Sequence, residues 1–441
     1  MKKGYDMHLP ECVAECLETL ENAGFAAYAV GGCVRDLVLG RQPHDYDLCT
    51  SALPEQTEAL FRDRRLVLTG KKHGTIGVTT REGVVEITTF RTEGDYTDNR
   101  HPEWVAYVTE IEEDLARRDF TVNAMAWSPR RGFADHFGGR EDLRKGILRV
   151  VGDPETRFRE DSLRILRGVR FAVRYGLQPE EATREAMFRL TPLMENLARE
   201  RVFEEFCGLL PALRIGDMAR FSPVICAVIP ELAPTVGFDQ RSPHHAYDLY
   251  THISGVVEST PPDLALRWAA LLHDTGKIPT FTRDATGRGH FYGHAVAGAE
   301  IADTVLRRLK APTALREEVT VLIRHHMTKL EPQRKQLRRW LSQLGMDGVR
   351  KLLLLQEADM ASKGRETPPE MAQFPVLHGL LSEMETENLC LNLKDLAVDG
   401  NDLMQMGFSG REIGQRLNLL LEMVLEEQLP NEKEALLTYL H

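Results

Sequence analysis

Apolar and polar residues follow two different spacings along the chain, and the change between them divides it into two parts. Residues 25–30 form a short apolar run that predicts a buried strand, and alternating runs between residues 66 and 90 predict further strands. From about residue 155 the spacing becomes helical almost without interruption, and residues 161–175 predict an amphipathic helix that ends before Gly176. The pattern therefore predicts an α/β unit with a mixed sheet, followed by helices to the end.

The composition is that of an ordinary globular chain. Apolar residues make up 42% and charged residues 27% of the 441 positions, and no apolar stretch is long enough to span a membrane. The seven cysteines have no paired spacing and the N-terminus lacks the apolar segment of a secretory signal, so we expect reduced thiols and a cytoplasmic protein. The net charge of −11 argues against nucleic-acid binding, but basic residues concentrate between Arg117 and Arg174, so composition leaves RNA binding open.

A Gly-Gly pair follows the first predicted strand and precedes a predicted helix at residues 34–39. Gly31 and Gly32 would let the backbone approach a phosphate, and the N-terminus of the helix would add N–H donors. Arg35, just inside the helix, could reach the same phosphates. By itself a Gly-Gly turn before a helix is more often structural than functional, so its meaning depends on what lies beside it.

Two aspartates lie on the next predicted strand, residues 45–48. Asp45 and Asp47 are alternate residues and would point to the same face, where two carboxylates repel each other unless a cation lies between them. Mg²⁺ prefers oxygen ligands and usually retains a substrate phosphate as another. Glu86, on a later predicted strand, could add a third carboxylate. The combination favours a magnesium-dependent phosphate site over an exposed strand edge with solvated acids.

These motifs resemble, in order and spacing, those of the class II tRNA nucleotidyltransferases (CCA-adding enzymes) and of bacterial poly(A) polymerases. The resemblance rests on residues 31–40 and 45–48 and continues at residues 117–125 and 159–167, so that it covers about residues 25–175. It implies an α+β fold in which an N-terminal mixed-sheet nucleotidyltransferase head, polymerase-beta-like, is followed by all-α neck, body and tail domains. The corresponding boundaries are 1–145 for the head, 146–238 for the neck, 239–365 for the body and 366–441 for a tRNA-binding tail.

The resemblance also implies how a nucleotide is selected. Arg118 and Asp119 match the pair that holds the triphosphate and reads the ribose, and Asn123 belongs to the same motif, while Asp161 and Arg164 match the pair that reads the base. Cytosine and adenine both carry an amino donor beside a ring-nitrogen acceptor, which one carboxylate and one guanidinium can read. Guanine and uracil would leave buried groups unpaired, at about 1–3 kcal/mol per group. Further candidates on the same predicted helix are Arg167, Arg170 and, as an orienting residue, Glu160.

The implied reaction is attack of an RNA 3′-hydroxyl on the α-phosphate of CTP or ATP, with release of pyrophosphate. Asp45, Asp47 and Glu86 are the catalytic candidates, and two Mg²⁺ ions held by the aspartates would lower the pKa of the hydroxyl and neutralise charge on the leaving group. The expected partners are tRNA, CTP and ATP, without a membrane, and the chain would act as a monomer or a homodimer.

A second set of candidates lies in the histidine-rich residues 240–360, which resemble an HD-type metal-dependent phosphohydrolase domain. Imidazole-rich ligation suits Mn²⁺, Fe, Ni²⁺ or Zn²⁺ better than Mg²⁺. Phosphohydrolase activity and an inherited metal site without activity both stay open. The resemblance implies a first metal held by His252, His273, Asp274 and Asp359, and a second position with His294 and one of the adjacent His325 and His326, of which we take His325.

Several alternatives stay open beside the CCA-adding interpretation. A poly(A) polymerase commonly ends in a strongly basic extension, whereas this chain ends with an acidic bias. A CC-only enzyme has a shortened loop between two catalytic motifs, whereas residues 91–114 read as complete, with Asp98, Arg100 and Pro102 present. An A-only enzyme is not distinguished by the sequence. From other classes, the chain could be mainly an HD phosphohydrolase with an RNA-binding unit, or a non-catalytic RNA-binding module, but the intact pair of aspartates argues against both.

Overall fold

The computed structural model describes residues 7–93, 105–242, 245–364, 369–387 and 389–440. The chain packs into two compact units, the first made by Met1–Ala212 with Phe221–Val228 and the second by Leu213–Arg220 with Ile229–His441. Within the described ranges, no helix combines the length and the apolarity that crossing a membrane requires. The finer division into head, neck, body and tail stays a prediction. The loop residues Asp98, Arg100 and Pro102, on which the argument against a CC-only enzyme depends, lie outside the described residues.

A mixed sheet forms the centre of the first unit. The strands of this unit are β1 (Ala27–Val30), β2 (Asp47–Thr50), β3 (Leu66–Val67), β4 (Thr75–Thr80), β5 (Gly83–Thr89), β6 (Arg91–Glu93), β7 (Val105–Tyr107), β8 (Ala126–Ser128), β9 (Gly132–Ala134), β10 (Ile147–Leu148) and β11 (Gln178–Pro179). In the described part of the chain, seven of them form one sheet in the order β3-β4-β5-β2-β1-β8-β9, in which β2 and β5 are parallel and the other neighbours antiparallel. The predicted mixed sheet is confirmed, and its buried face packs around Val30, Cys49 and Phe90.

Helices surround this sheet and continue beyond it. In chain order they are α1 (Glu11–Asn22), α2 (Gly32–Val38), α3 (Pro54–Leu60), α4 (Ile111–Ala116), α5 (Gly139–Lys145), α6 (Pro154–Glu160), α7 (Leu163–Tyr175), α8 (Glu181–Leu190), α9 (Arg199–Leu209), α10 (Ile215–Arg220), which belongs to the second unit, and α11 (Ser222–Val228). Helix α7 buries an apolar stripe that includes Leu166 and Val169, and Gly176, with φ 67°, ends it as predicted.

Three predicted elements are each two residues too long at the N-terminal end, among them β1, which begins at Ala27 rather than at residue 25. The helix predicted at residues 34–39 instead begins two residues earlier, at Gly32, and ends at Val38. Helix α7 begins at Leu163 rather than at residue 161, because Asp161 has an extended backbone, with φ −142° and ψ 101°, and its carboxylate accepts from the Leu163 N–H at 3.1 Å. Strand β2 begins at Asp47 rather than at residue 45, because its ladder with β5 starts at the pair of Asp47 and Glu86. Asp45 therefore precedes the strand, and Asp161 lies in the break between α6 and α7.

The second unit is almost entirely helical, apart from a short hairpin of β12 (Thr282–Arg283) and β13 (Gly289–His290). Residues 265–272 are all buried, so the His-Asp pair that follows them lies in the interior. A separate apolar core near the C-terminus includes Leu403, Leu420 and Leu436. The remaining helices are α12 (Leu249–Ser259), α13 (Leu264–Leu272), α14 (Lys277–Thr280), α15 (His294–Arg308), α16 (Thr313–His325), α17 (Arg334–Ala361), α18 (Gln373–Glu385), α19 (Gly400–Gln405), α20 (Arg411–Leu425) and α21 (Lys433–Tyr439). Short 3₁₀ turns over both units span Lys71–His73, Thr121–Asn123, Thr191–Asn196, Leu210–Ala212, Pro230–Thr235, Pro369–Ala372 and Leu393–Asp395.

Candidate active site and metal centre

A cavity of about 660 Å³ lies in the first unit, and its wall is formed by α2, the residues before β2, the residues after α4, and helices α7 and α9. Gly31 precedes the cavity wall as the N-cap of α2, and Glu86 lies beside Asp47 in the sheet. The structure thus brings the predicted site residues of this unit to one place. Those that line the cavity are Gly32, Arg35, Asp45, Asp47, Arg118, Asp119, Asn123, Asp161, Arg164, Arg167 and Arg170.

Three acidic residues lie near the start of β2. Asp47 pairs directly with Glu86 on the parallel strand β5, and Asp45 lies in the same cavity wall. Although the Asp47 side chain opens into the cavity, the surrounding protein and then the negative charges of Asp45 and Glu86 raise the pKa of its carboxyl to about 6, while Arg118 opposes this shift. Neighbouring negative charges favour a bound cation, and an all-oxygen donor set suits Mg²⁺. The donor chemistry of the three residues is therefore that of a magnesium site.

The Gly-Gly turn brings the backbone against Arg118. Gly31 has φ 77° and ψ −125°, a conformation that other residues rarely adopt, and its N–H donates to the Met125 carbonyl oxygen at 3.0 Å. A Cβ atom at Gly31 would lie 2.9 Å from Arg118 Nη1. Arg118 Nη2 donates to Asp114 Oδ2 at 3.3 Å, and among the described residues its Nε has no hydrogen-bond partner. The turn favours glycine because of its positive φ, and a side chain at Gly31 would also displace the end of the Arg118 side chain.

Arg35 is buried in the cavity wall and held by several partners. Its Nη1 donates to Asn123 Oδ1 at 2.6 Å, its Nε donates to Asp36 Oδ1 at 3.0 Å, and its Nη2 donates to the Tyr175 hydroxyl. The guanidinium carbon also lies 4.1 Å from the centre of the Tyr175 ring. These contacts fix Arg35 in place, so its predicted reach to a phosphate stays a prediction. Tyr175 is a cavity residue that the sequence analysis did not identify.

Asp119 uses both carboxylate oxygens inside the protein. Oδ1 accepts from the Phe120 N–H at 2.8 Å and from Asn123 Nδ2 at 3.0 Å, and Oδ2 accepts from Arg167 Nε at 2.9 Å and lies 2.8 Å from Arg167 Nη2. Burial raises the pKa of this carboxyl, but Arg167 and Asn123 outweigh burial and hold the pKa below its ordinary value. A ribose hydroxyl would therefore have to share acceptor sites that are already in use.

Asp161 and Arg164, the predicted base-reading pair, line the cavity and have different partners. Arg164 Nη1 donates to Glu160 Oε2 at 2.6 Å and to the Arg157 carbonyl oxygen at 3.2 Å. Arg164 Nη2 donates to the Arg117 carbonyl oxygen at 3.2 Å. Glu160 also accepts from Arg157 Nη1 at 2.8 Å, so it is itself held in position. This geometry agrees with the orienting role predicted for Glu160.

Helix α9 contributes two residues that the sequence analysis did not identify. Glu205 accepts from Arg170 Nε at 2.7 Å and from Arg167 Nη1 at 3.2 Å, so it aligns two arginines of the cavity. Arg201 Nη2 donates to Asp161 Oδ2 at 2.9 Å. These partners are 35 to 40 residues apart in the chain, and no motif or spacing links them.

A second cluster of ionisable side chains lies in the interior of the second unit, and all its members are buried. They form two groups that share one aspartate, and in each group the ligand atoms lie within 4.8 Å of one another. The first group is His252, His273, Asp274 and Asp359, and the second is Asp274, His294 and His326.

The four histidines of this cluster direct their Nε2 atoms at one another and at the carboxylates. Each Nδ1 lies 2.6 to 3.2 Å from a backbone carbonyl oxygen, which fixes the proton there and leaves the lone pair on Nε2. The Nε2 atoms of His294 and His326 are 3.3 Å apart, and those of His252 and His273 lie 3.0 to 3.7 Å from carboxylate oxygens of Asp274 and Asp359. Converging lone pairs of this kind fit a transition-metal ion.

His325 does not join this cluster, which corrects the sequence prediction. Adjacent residues of a helix project about 100° apart, so only one of His325 and His326 can face the interior. His326 is buried within the cluster, whereas the half-buried His325 packs against Trp340, with ring centres 5.0 Å apart. Burial lowers the pKa of His326 to about 4, whereas in His273 the carboxylates of Asp274 and Asp359 outweigh burial and raise the pKa to about 10.

Profiles of three protein families match the chain: the poly A polymerase head domain at residues 27–149, the probable RNA and SrmB-binding site of polymerase A at residues 176–212, and the HD domain at residues 248–368.

Several relatives are similar to the chain over most or part of its length. A CCA-adding enzyme of Bacillus velezensis is 32% identical over 428 residues, which cover 96% of each chain. A CCA-adding enzyme of Streptococcus pyogenes is 50% identical over 196 residues, or 44% of this chain and 48% of that one. The crystal structure of the Bacillus stearothermophilus CCA-adding enzyme in complex with CTP is similar with a TM-score of 0.69 and 28% identity, covering 98% of this chain and 96% of that one. Because the first of these matches extends over nearly both full lengths, the chain belongs to the CCA-adding enzyme family and is an enzyme, a tRNA nucleotidyltransferase with an HD domain.

Proposed function

We propose that the chain adds the nucleotides C, C and A to the 3′ end of tRNA, with CTP and ATP as donors and Mg²⁺ as cofactor. The observation that carries the proposal is a single cavity of about 660 Å³ whose lining includes both Asp45 and Asp47 and the pair Asp161 and Arg164. A volume of this size accommodates one nucleotide. The structure of the similar Bacillus stearothermophilus enzyme contains CTP, which supports the same interpretation.

In the proposed reaction, the tRNA 3′-hydroxyl oxygen forms a bond to the α-phosphorus, the bond from this phosphorus to its bridging oxygen breaks, and pyrophosphate leaves. Asp45, Asp47 and Glu86 would hold Mg²⁺, which when bound lowers the pKa of the hydroxyl and neutralises phosphate charge. Arg118, whose guanidinium lies beside the Gly-Gly turn, would bind the triphosphate. Arg35 would keep the turn in position through its hydrogen bonds across the cavity wall.

The base would be read by Asp161 and Arg164. A carboxylate accepts from the amino group that cytosine and adenine share, and a guanidinium donates to the ring nitrogen beside it. Uracil and guanine present a carbonyl oxygen to the carboxylate, so neither the carbonyl oxygen nor the carboxylate would have a hydrogen-bond donor. Asp119 and Asn123, whose side chains are hydrogen-bonded to each other, would define the ribose position.

The order of the parts supports tRNA as the acceptor. We assign residues 1–145 to the catalytic head, 146–238 to the neck, 239–365 to the HD body and 366–441 to a tRNA-binding tail. We further propose that the chain acts in the cytoplasm, because its seven cysteines are free thiols, which a reducing compartment preserves. We also propose that it acts as a monomer or a homodimer.

The test is extension of tRNA that lacks its 3′ end, with labelled nucleotides offered singly and together. CCA addition predicts incorporation of C from CTP alone, incorporation of A only after C, and a stop after three nucleotides. Addition of two C residues without A would contradict the proposal in favour of a CC-only enzyme. Addition of A to tRNA that already ends in CC, without any addition of C, would favour an A-only enzyme. A long A tract would favour a poly(A) polymerase.

A pair of variants tests the metal-binding acids separately. Asp47→Ala removes the central carboxylate of the cluster and should abolish incorporation while tRNA binding, measured by gel shift, is retained. Asp63→Ala removes an exposed acid of the same unit and should leave both properties unchanged. Comparable incorporation by Asp47→Ala would refute the assignment.

For the second unit we propose metal-dependent hydrolysis of phosphate esters at the HD cluster. The supporting observation is the set of buried Nε2 lone pairs around Asp274, which suits Mn²⁺, Fe, Ni²⁺ or Zn²⁺. Metal analysis and an assay with 2′,3′-cyclic phosphate esters test it in His273→Ala. His378→Ala is the matched control, because His378 lies in the same unit and pairs with Glu357 at 3.1 Å. Equal metal content and equal hydrolysis in the two variants would refute the proposal.

A further inference from the structure

One face of strands β3, β4 and β5 lies open beside the acidic residues of the first unit. Val67, Gly77, Glu86 and Asp47 are paired in turn across four neighbouring strands, so they form one row on the same face of the sheet. Val84 precedes Glu86 by two residues and therefore projects from this face about 7 Å away. Glu86 is exposed, Val84 is 52% exposed and Val67 is 39% exposed. The acids and two exposed valines thus share one surface.

The two valines meet over a glycine. A Cβ atom at Gly77 would lie 2.9 Å from Val84 Cγ1 and 3.0 Å from Val67 Cβ, so the side chains of both valines adjoin the Gly77 backbone. We refer to Val67, Gly77 and Val84 as the valine patch. Exposed apolar side chains that adjoin one another mark a binding surface more often than those that are scattered singly. The valine patch offers such a surface without a hydrogen-bond donor or acceptor in its side chains.

The valine patch and the nucleotide cavity lie on opposite sides of the acids. In the sheet, β2 with Asp47 has β1 on one side and β5 on the other. The cavity wall includes α2, which follows β1, and among the described residues none of β3, β4 or β5 lines it. In the proposed reaction, the attacking oxygen and the leaving pyrophosphate lie in line, on opposite sides of the α-phosphorus. A triphosphate at the Gly-Gly turn, on the β1 side, therefore leaves the β5 side for the attacking hydroxyl.

We propose that the valine patch holds the 3′-terminal nucleotide of the acceptor RNA. An acceptor whose 3′-oxygen reaches Asp47 and Glu86 from the β5 side brings its terminal ribose and base over β5 and β4, where the patch lies. This inference rests on the proposed function of the cavity, and it names the surface that receives the second substrate.

The chemistry of the valine patch suits an acceptor end that changes with each addition. The terminal base is first the one that precedes the added nucleotides, and then it is C twice. Hydrogen bonds to the base would have to fit different patterns of donors and acceptors, whereas apolar contact is not directional. Val67 and Val84 can therefore pack against each terminal nucleotide in turn.

The experiment replaces each valine by a polar residue, in Val84→Asn and in Val67→Asn, and compares Val84→Ile, which keeps an apolar side chain. Leu53→Asn is the matched control, because Leu53 is an apolar residue of the same unit that is 41% exposed and lies at the N-cap of α3. The readout is KM for tRNA that lacks its 3′ end and, separately, KM for CTP. Thermal midpoints show whether each variant is folded.

We expect KM for the tRNA to rise at least fivefold in both asparagine variants while KM for CTP is unchanged. Val84→Ile and Leu53→Asn should keep the wild-type values. The rise should be similar for tRNA ending in C and in CC, since the contact does not read the base. Values of KM for tRNA within twofold of wild type in both asparagine variants would overturn the inference, and so would an equal rise in KM for CTP.

Two further outcomes keep the experiment decisive. If Val84→Asn does not fold, Val67→Asn decides by the same twofold criterion, because it tests the same patch from the neighbouring edge strand β3. A wild-type chain that adds no nucleotide to tRNA would instead refute the proposed function itself, which keeps the two failures apart.

Discussion

Replacement of Asp119 by asparagine removes one charge from the centre of the hydrogen-bond network in the cavity wall. The carboxylate accepts from the Phe120 N–H, from Asn123 Nδ2 and from the Arg167 guanidinium, at distances of 2.8 to 3.0 Å. An asparagine side chain has one oxygen and one NH₂ group. Whichever way it turns, the NH₂ group faces a donor, so at least one side of the network loses its bonds.

The expected loss of stability depends on the contacts that Arg167 retains in Asp119→Asn. Removal of one partner from a buried ion pair costs about 3–5 kcal/mol, because the other charge remains buried without compensation. Here the Arg167 side chain is 33% exposed and retains Glu205 at 3.2 Å. We therefore expect Asp119→Asn to lower the free energy of unfolding of the first unit by about 2 kcal/mol, below the range for a fully buried pair.

The loss depends on pH in a defined direction. The pKa of Asp119 in the folded chain is lower than its ordinary value of 3.8. A group of this kind contributes stability above its unfolded pKa, and the contribution is lost as the pH falls through the folded pKa. The difference between wild type and Asp119→Asn should accordingly be complete at pH 7 and shrink only below about pH 4.

Urea unfolding of the first unit at pH 7 and at lower pH measures both the loss of stability in Asp119→Asn and its dependence on pH. Glu141→Gln is the control, since Glu141 is an exposed acid that pairs with Arg144 on the same helix, and it should unfold like the wild type. A loss smaller than about 0.5 kcal/mol in Asp119→Asn, the size of an exposed pair, would refute the reasoning. So would a difference that grows on acidification.

Three further results are expected. In metal-free buffer, Asp47→Asn raises the unfolding temperature because it removes one of three neighbouring negative charges. Addition of Mg²⁺ raises the unfolding temperature of the wild type only, and an equal rise in both proteins would contradict the metal site. Gly31→Ala lowers kcat/KM for CTP because its Cβ would lie 2.9 Å from a guanidinium nitrogen of Arg118. The control Gly138→Ala, at a residue with φ 75° and open space around the added Cβ, lowers only stability. Equal kcat/KM values in the two variants would contradict the role of the Gly31 turn. Metal analysis finds less metal in His326→Ala than in His325→Ala, and equal contents would refute the choice of His326.

The elements with clear periodicity were predictable, whereas their first residues depend on local bonds and strand pairing that periodicity does not show. The apolar run at residues 25–30 contains β1, and the helix predicted at residues 161–175 ends at Gly176 as observed. Its start was wrong because the Asp161 carboxylate accepts from an N–H two residues later and holds the backbone extended. Hydrophobic spacing carries no information on such a local bond, since the acid is polar in either conformation.

The candidate site was predictable where its residues fall within one motif and not where they meet through packing. Arg201 and Glu205 lie on a helix whose polar positions read like those of any amphipathic helix, and charges at such positions are usually solvated. Only the packing of α9 against α7 brings Arg201 to the cavity and Glu205 to the arginines that line it. The choice between His325 and His326 likewise depends on the rotation of α16 about its axis, which a pair of adjacent histidines does not specify.

A polymerase without a nucleic-acid template must fix its base-reading atoms by protein contacts alone, and the contacts around the proposed reading pair, Asp161 and Arg164, have this property. Asp161 is held by the Leu163 N–H and Arg201, and Arg164 is held by Glu160 and two backbone carbonyl oxygens. Groups fixed in this way discriminate because a wrong base leaves them unpaired. If they could rotate, they would find other partners and the penalty would vanish. Selectivity for C and A should therefore depend as strongly on the residues that hold the reading pair as on the pair itself.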